Sequence, residues 1–335
     1  MKELFILLFI LFAEISYAQT TPEADFQLRC NASGVVKCVG FDNTTADIKL
    51  NTNLYAGDGG FVGGSMDTTN KASGVGSLHF LLPGNRGTSD ISGSWNSSLG
   101  GSFGPNTDFY VQYRIMISPS MISNLKKWRS LVDTAWKTSL FHRKGSTCGQ
   151  IEITTVAYPY DNSGTPEMYT GCGTPGFTAQ VPGTFNANGN LIQQGSSPTS
   201  GYNCDWQNIF AGNGNGSGCY IYVPNKWITF YYKIHLGDMT GGKNSSVQAF
   251  ISMDGGEYKQ FVNVNALPLF SDGPGLNKYD EITLTPYMTG LKVAAGVDAH
   301  MWFDELIVSA QPIAAPGFGG TSLPNLKAPM NLRVQ

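Results

Sequence analysis

Two segments alternate so strictly that they leave little choice of fold. In Phe109–Ile117, the residues Phe109, Val111, Tyr113, Ile115 and Ile117 share one face, while Tyr110, Gln112, Arg114 and Met116 share the other. Trp227–Leu236 repeats the pattern, with Ile228, Phe230, Tyr232, Ile234 and Leu236 set against Thr229, Tyr231, Lys233 and His235. Successive side chains of a strand point to opposite sides, so alternation of this length marks β-strands with one face on a core. Shorter strand candidates are Ser77–Leu82, Lys137–His142, Gln150–Val156, Val247–Met253, Glu281–Pro286 and His300–Ser309. Turn clusters punctuate them, and Asp254-Gly255-Gly256 reads as the hairpin turn between Val247–Met253 and Tyr258–Val264. Helical periodicity is nearly absent. The best helix candidate is Ser118–Ser130, opened by Ser118-Pro119. Many strands and sparse helix predict an all-β fold, an antiparallel β-sandwich.

The charge balance narrows the function. The 335 residues carry 21 Lys plus Arg against 24 Asp plus Glu, a net charge of −3 with no basic stripe. Nucleic-acid binding driven by counterion release is thereby excluded. Charged residues make up only 13% of a chain with 41 Gly, which speaks against long helices and coiled coils. The length is ample for a real core.

Residues 1–18 read as a secretory signal. Lys2 precedes the apolar run Leu4–Phe12, and Ser16-Tyr17-Ala18 offers small residues before a cut at Gln19. The run is too short to span a bilayer and no later stretch competes, so a secreted, extracellular protein without a membrane span is expected. Six Cys remain (Cys30, Cys38, Cys148, Cys172, Cys204 and Cys219), an even number that implies disulfides in an exported chain. Nearest-neighbour pairing, Cys30–Cys38, Cys148–Cys172 and Cys204–Cys219, closes three local loops. A metal site is the rival, but no Cys-x-x-Cys or paired His spacing supports one. Five Asn-x-Ser/Thr sequons, at Asn31, Asn43, Asn96, Asn215 and Asn244, would carry glycans only in a glycosylating host. One domain is expected over 19–311, followed by a Pro/Gly-rich linker or tail over 312–335. The expected form is a monomer.

Several segments together resemble a family of exported bacterial proteins of the concanavalin A-like jelly-roll class, related to alginate, heparin and glucuronan lyases. They are Arg29-Cys30 through Asp42, Ala72–Leu78, Phe109–Pro119, Trp136-Lys137 and Trp302–Ser309. The match spans roughly residues 26–313. It implies a jelly roll of two antiparallel sheets and a concave face that holds a linear glycan.

A uronate lyase needs a group that neutralises the sugar carboxylate, a base for the neighbouring C–H, and an acid for the departing oxygen. In jelly-roll lyases the resemblance assigns these to an Arg, a Gln-Ile-His strand and a Tyr-x-Lys strand. Here Arg114 sits on the polar side of a strong strand. Gln150-Ile151-Glu152 has the Gln-Ile-His spacing with Glu in place of His, and an exposed carboxylate is a feeble base for a carbon acid. Tyr231, Lys233 and His235 share one polar face. The assignment is therefore Arg114 and Gln150 on the carboxylate, His142 as base and Tyr231 as acid. Glu152, Lys233, His235, Trp206 and Tyr169 are the substrate contacts, with Trp206 the best candidate for stacking on a sugar ring. The plainer readings are an Arg114–Glu152 ion pair and ordinary polar surface for His235, while His79 and His300 have only structural readings.

A retaining glucanase would show a Glu-x-Asp-x-x-Glu strand, and none occurs. Asp304-Glu305 is the only adjacent acidic pair within a predicted strand, and alternation sends its two side chains to opposite faces. Asp42 and Asp304 are candidate ligands for a structural Ca²⁺, a hard cation that takes carboxylate oxygens. Asp304 as a turn cap is the competing reading, and no organic cofactor is expected. The leading function is β-elimination on an acidic polysaccharide. The alternatives are a noncatalytic glycan-binding module and a structural surface domain.

Overall fold

The computed structural model describes residues 21–49, 63–84, 93–122, 135–143, 152–158, 165–171, 184–185, 191–193, 196–197, 202–203, 222–238 and 244–317, except 254, 257, 268, 270–277, 287 and 290–295. In chain order the strands are β1 (Val35–Val39), β2 (Gly64–Asp67), β3 (Ser77–Leu82), β4 (Trp95–Phe103), β5 (Thr107–Ile117), β6 (Ala135–His142), β7 (Glu152–Tyr158), β8 (Thr165–Gly171) and β9 (Thr184–Phe185). They continue with β10 (Leu191–Gln193), β11 (Ser196–Ser197), β12 (Tyr202–Asn203), β13 (Ile228–Leu236), β14 (Ser245–Met253), β15 (Lys259–Leu267), β16 (Tyr279–Leu284), β17 (Met288–Thr289) and β18 (Ala299–Ser309).

The first sheet runs β15-β14-β13-β5-β18-β3-β2, and the second β4-β16-β6-β7-β8-β10-β9 with β17 added beside β6. Strand β18 organises the first sheet. It pairs with β5 along one edge, and along the other with β3 at its start and β1 at its end. The two predicted alternating strands lie side by side, Tyr113 opposite Phe230 and Val111 opposite Tyr232. Their apolar sides bury completely and meet the second sheet, where Phe141 packs edge-on to Tyr232 at 4.9 Å between ring centroids. Trp95, Trp136, Ile282 and Leu284 complete that core. The fold is an antiparallel all-β jelly-roll sandwich, as expected.

The hairpin at Gly255 forms as read, with Gly256 N donating to Met253 O and Gly255 at φ 76°. A disulfide joins Cys30 and Cys38, Cα atoms 5.6 Å apart, which fits an oxidising compartment. Cys148, Cys172, Cys204, Cys219 and the signal segment lie outside the described residues. Of the predicted helix, residues 119–122 are helical, and the rest is also outside them. No helix among the described residues is long and apolar enough to cross a membrane.

Two helical segments were not anticipated, a π-helical turn at Thr44–Lys49 and an α-helix near the start of the described chain. α1 (Pro22–Cys30) opens with Thr21 as N-cap, its Oγ1 accepting from Ala24 N at 3.2 Å, and with Pro at the start. Glu23 and Asp25 in the first turn and Arg29 in the last complement the helix dipole. Residues 312–317, the start of the expected tail, pack as a strap: Ile313 is buried, Gln112 Nε2 donates to Ala314 O at 2.9 Å, and Gly317 N donates to Asp25 Oδ1 at 3.3 Å.

Candidate functional site

The helix and the strap cover the part of the first sheet's outer face formed by β5, β13 and the end of β18. Beneath them Phe26, Tyr110, Tyr231, Phe250, Ile307 and Ile313 form a second small core. The polar sides of β5 and β13, expected to meet solvent and substrate, are therefore largely buried. Arg114 is 7% exposed and Tyr231 1%. Arg114 Nη1 lies 3.4 Å from Glu305 Oε1, and its guanidinium sits 5.9 Å over the Trp227 ring. Burial pushes the Tyr231 hydroxyl well above the ordinary tyrosine range, the wrong direction for an acid at neutral pH. The pocket that remains beside Arg114, Asp25 and Glu305 has room for about one water, far less than a sugar. Lys233 and His235 stay partly open farther along β13, where His235 Nδ1 meets Asp108 Oδ1 at 2.6 Å. Arg114 is an internal ion-pair residue, and its expected partner Glu152 belongs to the other sheet.

The Asp304–Glu305 pair also departs from expectation. The β5–β18 register breaks between Asp304 and Ile307, and Glu305 takes φ 50°. This bulge turns both carboxylates to the outer side instead of opposite faces. Glu305 meets Arg29 and Arg114, while Asp304 Oδ2 accepts from Ala72 N at 2.7 Å and Ser73 N at 3.3 Å. Both are fully buried, so they still cannot flank a glycosidic bond.

The outward side of the second sheet carries another polar row, and its two central members are buried as well, His142 at 6% exposure and Thr283 at 0%. Phe141, Ile282, Leu284 and Trp95 point into the core, so His142, Thr283, Glu281 and Asn96 point outward. They are neighbours across three strands, Glu281 opposite His142 and Thr283 opposite Asn96. His142 Nδ1 lies 3.0 Å from Arg143 O, an obligate acceptor, so Nδ1 carries a proton. Nε2 lies 2.8 Å from Thr283 Oγ1, which in turn donates to Asn96 Oδ1 at 2.6 Å. With that hydroxyl proton on Asn96, Thr283 accepts from an imidazolium; turned to Nε2, it donates to a neutral ring. One hydroxyl thus serves both protonation states.

Glu152 stands in β7 one register step from the Phe141–Ile153 pair, and Tyr169 in β8 opposite Thr154. Gln150 and Trp206 lie outside the described residues. The structure therefore groups His142 with the strands of Glu152 and Tyr169, and puts Arg114 and Tyr231 across the sandwich core from them. Thr283 and Asn96 were not singled out from sequence. The signal was present in Glu281–Leu284, where apolar Ile282 and Leu284 leave Glu281 and Thr283 facing out.

Asp42 and Asp304, proposed as cation ligands, grip one loop. Asp42 Oδ1 accepts from Val75 N and Gly76 N, three residues past the Ala72 and Ser73 amides held by Asp304. Burial, with the Glu305 charge added, pushes the Asp304 carboxyl well above its ordinary value, against the opposing pull of the Ala72, Ser73 and Glu305 amides. Both carboxylates are taken up by backbone N–H donors of this one loop. Among the described residues no third acidic, His or Cys side chain joins them.

No protein-family model matches the chain, and no curated protein matches it in sequence. Its structural neighbours include polysaccharide lyases. An endo-β-1,4-glucuronan lyase from the fungus Trichoderma reesei is 10% identical, with TM-score 0.46 over 79% of this chain and 97% of that one. The marine PL-14 alginate lyase from Aplysia kurodai is 11% identical, with TM-score 0.46 over 73% and 86%. Alginate lyase vAL-1 from Chlorella virus is 8% identical, with TM-score 0.42 over 80% and 99%.

Proposed function

We propose that the protein acts on an acidic, uronate-containing polysaccharide laid across the outer face of the second sheet, cleaving it by β-elimination. The observation that carries this placement is the hydrogen-bonded row of His142, Thr283 and Asn96 on the outward side of the second sheet, where Asn96 and Glu281 are partly exposed and His142 and Thr283 are themselves buried. On the first sheet α1 and the strap cover Arg114 and Tyr231. The sequence resemblance to jelly-roll lyases supplies the substrate class.

In this reading His142 is the proton-handling group. Arg143 O fixes the ring through Nδ1, Nε2 changes protonation, and Thr283 follows by turning its hydroxyl. Arg114 and Tyr231 take no part in the chemistry and hold the first sheet to α1. Ca²⁺ between Asp42, Asp304 and the 72–76 loop would be structural, neutralising the buried carboxylate.

The test is ultraviolet absorbance of the mature protein with a panel of uronate polysaccharides. Rising absorbance from an unsaturated uronate, lost in His142→Ala and kept in Tyr231→Phe, is the expected result. A second reading, a glycan-binding module without turnover, is favoured by one observation: both His142 ring nitrogens are already hydrogen-bonded. A flat trace with retained glycan binding selects that second reading and ends the lyase proposal.

A further inference from the structure

The chain has four His, and two of them meet at a place neither reading of the function uses. His79 on β3 and His300 on β18 lie on the outer face of the first sheet, toward the β2 edge and away from the α1 core. His79 Nε2 is 3.0 Å from His300 Nδ1. The ring centroids are 5.2 Å apart and the planes only 14° from parallel, so the rings meet edge to edge in nearly one plane. Both side chains are half-buried and Ser65 beside them is exposed, so the pair is accessible from solvent.

Ser65 Oγ lies 3.4 Å from His79 O and 3.3 Å from His79 Nδ1. With the hydroxyl proton on that carbonyl, His79 Nδ1–H donates to Ser65 Oγ. A histidine whose Nδ1 carries the proton has its Nε2 lone pair free, and here that lone pair faces His300. Trp302, opposite His79 in the ladder, flanks both rings at 5.1 and 5.5 Å and is braced by its own Nε1–H to Asp67 Oδ2 at 2.8 Å. An outer acceptor that sets the tautomer is the usual support of a metal-binding imidazole.

We propose that His79 and His300 form a two-imidazole site for a borderline transition-metal cation, Cu²⁺ or Zn²⁺, in which the cation replaces the proton shared between the two rings. At metal–nitrogen distances of about 2.0–2.1 Å, two cis nitrogens stand about 2.8–3.3 Å apart in square-planar or tetrahedral sites, which brackets the separation present. Binding needs the rings to turn from facing each other to converging, with little change in their spacing. No third acidic, His or Cys ligand joins them among the described residues, so water completes the shell.

The experiment is a Cu²⁺ titration of the mature protein by calorimetry, with electron paramagnetic resonance of the product. One equivalent should bind with hyperfine coupling from two imidazole nitrogens. His79→Phe and His300→Phe should each weaken it at least tenfold, while His235→Ala should leave it unchanged. A signal unaltered in both Phe variants overturns the site. If those variants misfold, Zn²⁺ added to the unmutated protein should shift the imidazole nitrogen NMR signals of His79 and His300 and not those of His142. Shifts confined to other residues, or no shifts, overturn it equally.

Discussion

Arg29 Nη2 donates to Glu305 Oε2 at 2.5 Å across 276 residues of sequence, and both side chains are buried. The same guanidinium reaches Asp25 at 2.9 Å and Gln112 Oε1 at 2.6 Å. One side chain therefore ties α1 to β5 and to the bulge of β18, and this tie holds the helix over that part of the first sheet's outer face.

Arg29→Met should be strongly destabilising, because it leaves the Glu305 carboxylate buried and underpaired. Breaking such a pair from one side costs about 3–5 kcal/mol, whereas removing both charges together costs much less. Urea unfolding of Arg29→Met, Glu305→Gln and the double variant checks this. The double variant should be more stable than Arg29→Met. If all three unfold at the same urea concentration as the parent, the clasp contributes nothing.

The alternating halves of the fold were readable because each strand needs only its own residues to declare a period of two. Phe109–Ile117 and Ile228–Leu236 both appear in the structure with the predicted apolar side inward. Strand β4 was not legible, since Trp95–Phe103 is mostly Ser and Gly between its apolar positions. Alternation also tells which residues share a side, but not what covers that side. Tyr110, Gln112, Arg114 and Tyr231 are buried by a helix and strap from the two ends of the described chain, and no local pattern announces that contact. The Glu305 bulge is likewise invisible to a period-two reading, because one extra residue resets it.

The Cys30–Cys38 disulfide pins the end of α1 to β1, so its loss should loosen the same face. Its closed loop is short, with a sequence separation of 8, and chain entropy assigns such a loop about 2–3 kcal/mol. The Cys30→Ala/Cys38→Ala variant should melt below the parent and exchange the α1 amides faster. Equal melting temperatures and unchanged exchange would show that Arg29 alone holds the helix.

His79 predicts a pH dependence. Its folded value is lowered to about 4 from an ordinary 6.5, mainly by burial and then by His300. The unfolded chain therefore takes up this proton first as pH falls, which favours unfolding. Any stability lost through His79 is absent above about pH 6.5 and fully developed below about pH 4. His79→Gln should flatten the stability profile between those limits, measured by thermal unfolding at several pH values. A parallel profile for the variant would mean that other groups control that range.

The 72–76 loop predicts a cation dependence. Asp304 is buried with its carboxyl driven upward, so a bound cation would favour its charged form. Adding Ca²⁺ should raise the melting temperature of the parent and a chelator should lower it, with neither affecting Asp304→Asn. A parent indifferent to Ca²⁺ would leave Asp42 and Asp304 as backbone clasps held by a proton.

Thr283 separates a proton-handling His142 from a merely packed one. Thr283→Val removes the hydroxyl that receives or supplies the Nε2 hydrogen bond, while Thr283→Ser keeps it. A hydrogen bond to a charged ring is worth about 1.5–3 kcal/mol, so turnover on a uronate polymer should fall about 10- to 100-fold in Val and recover largely in Ser. If His142 only packs, Val and Ser should change stability alone and leave the kcat pH profile where it was. If the face only binds glycan, both variants should alter affinity, with no absorbance change to measure in any of them.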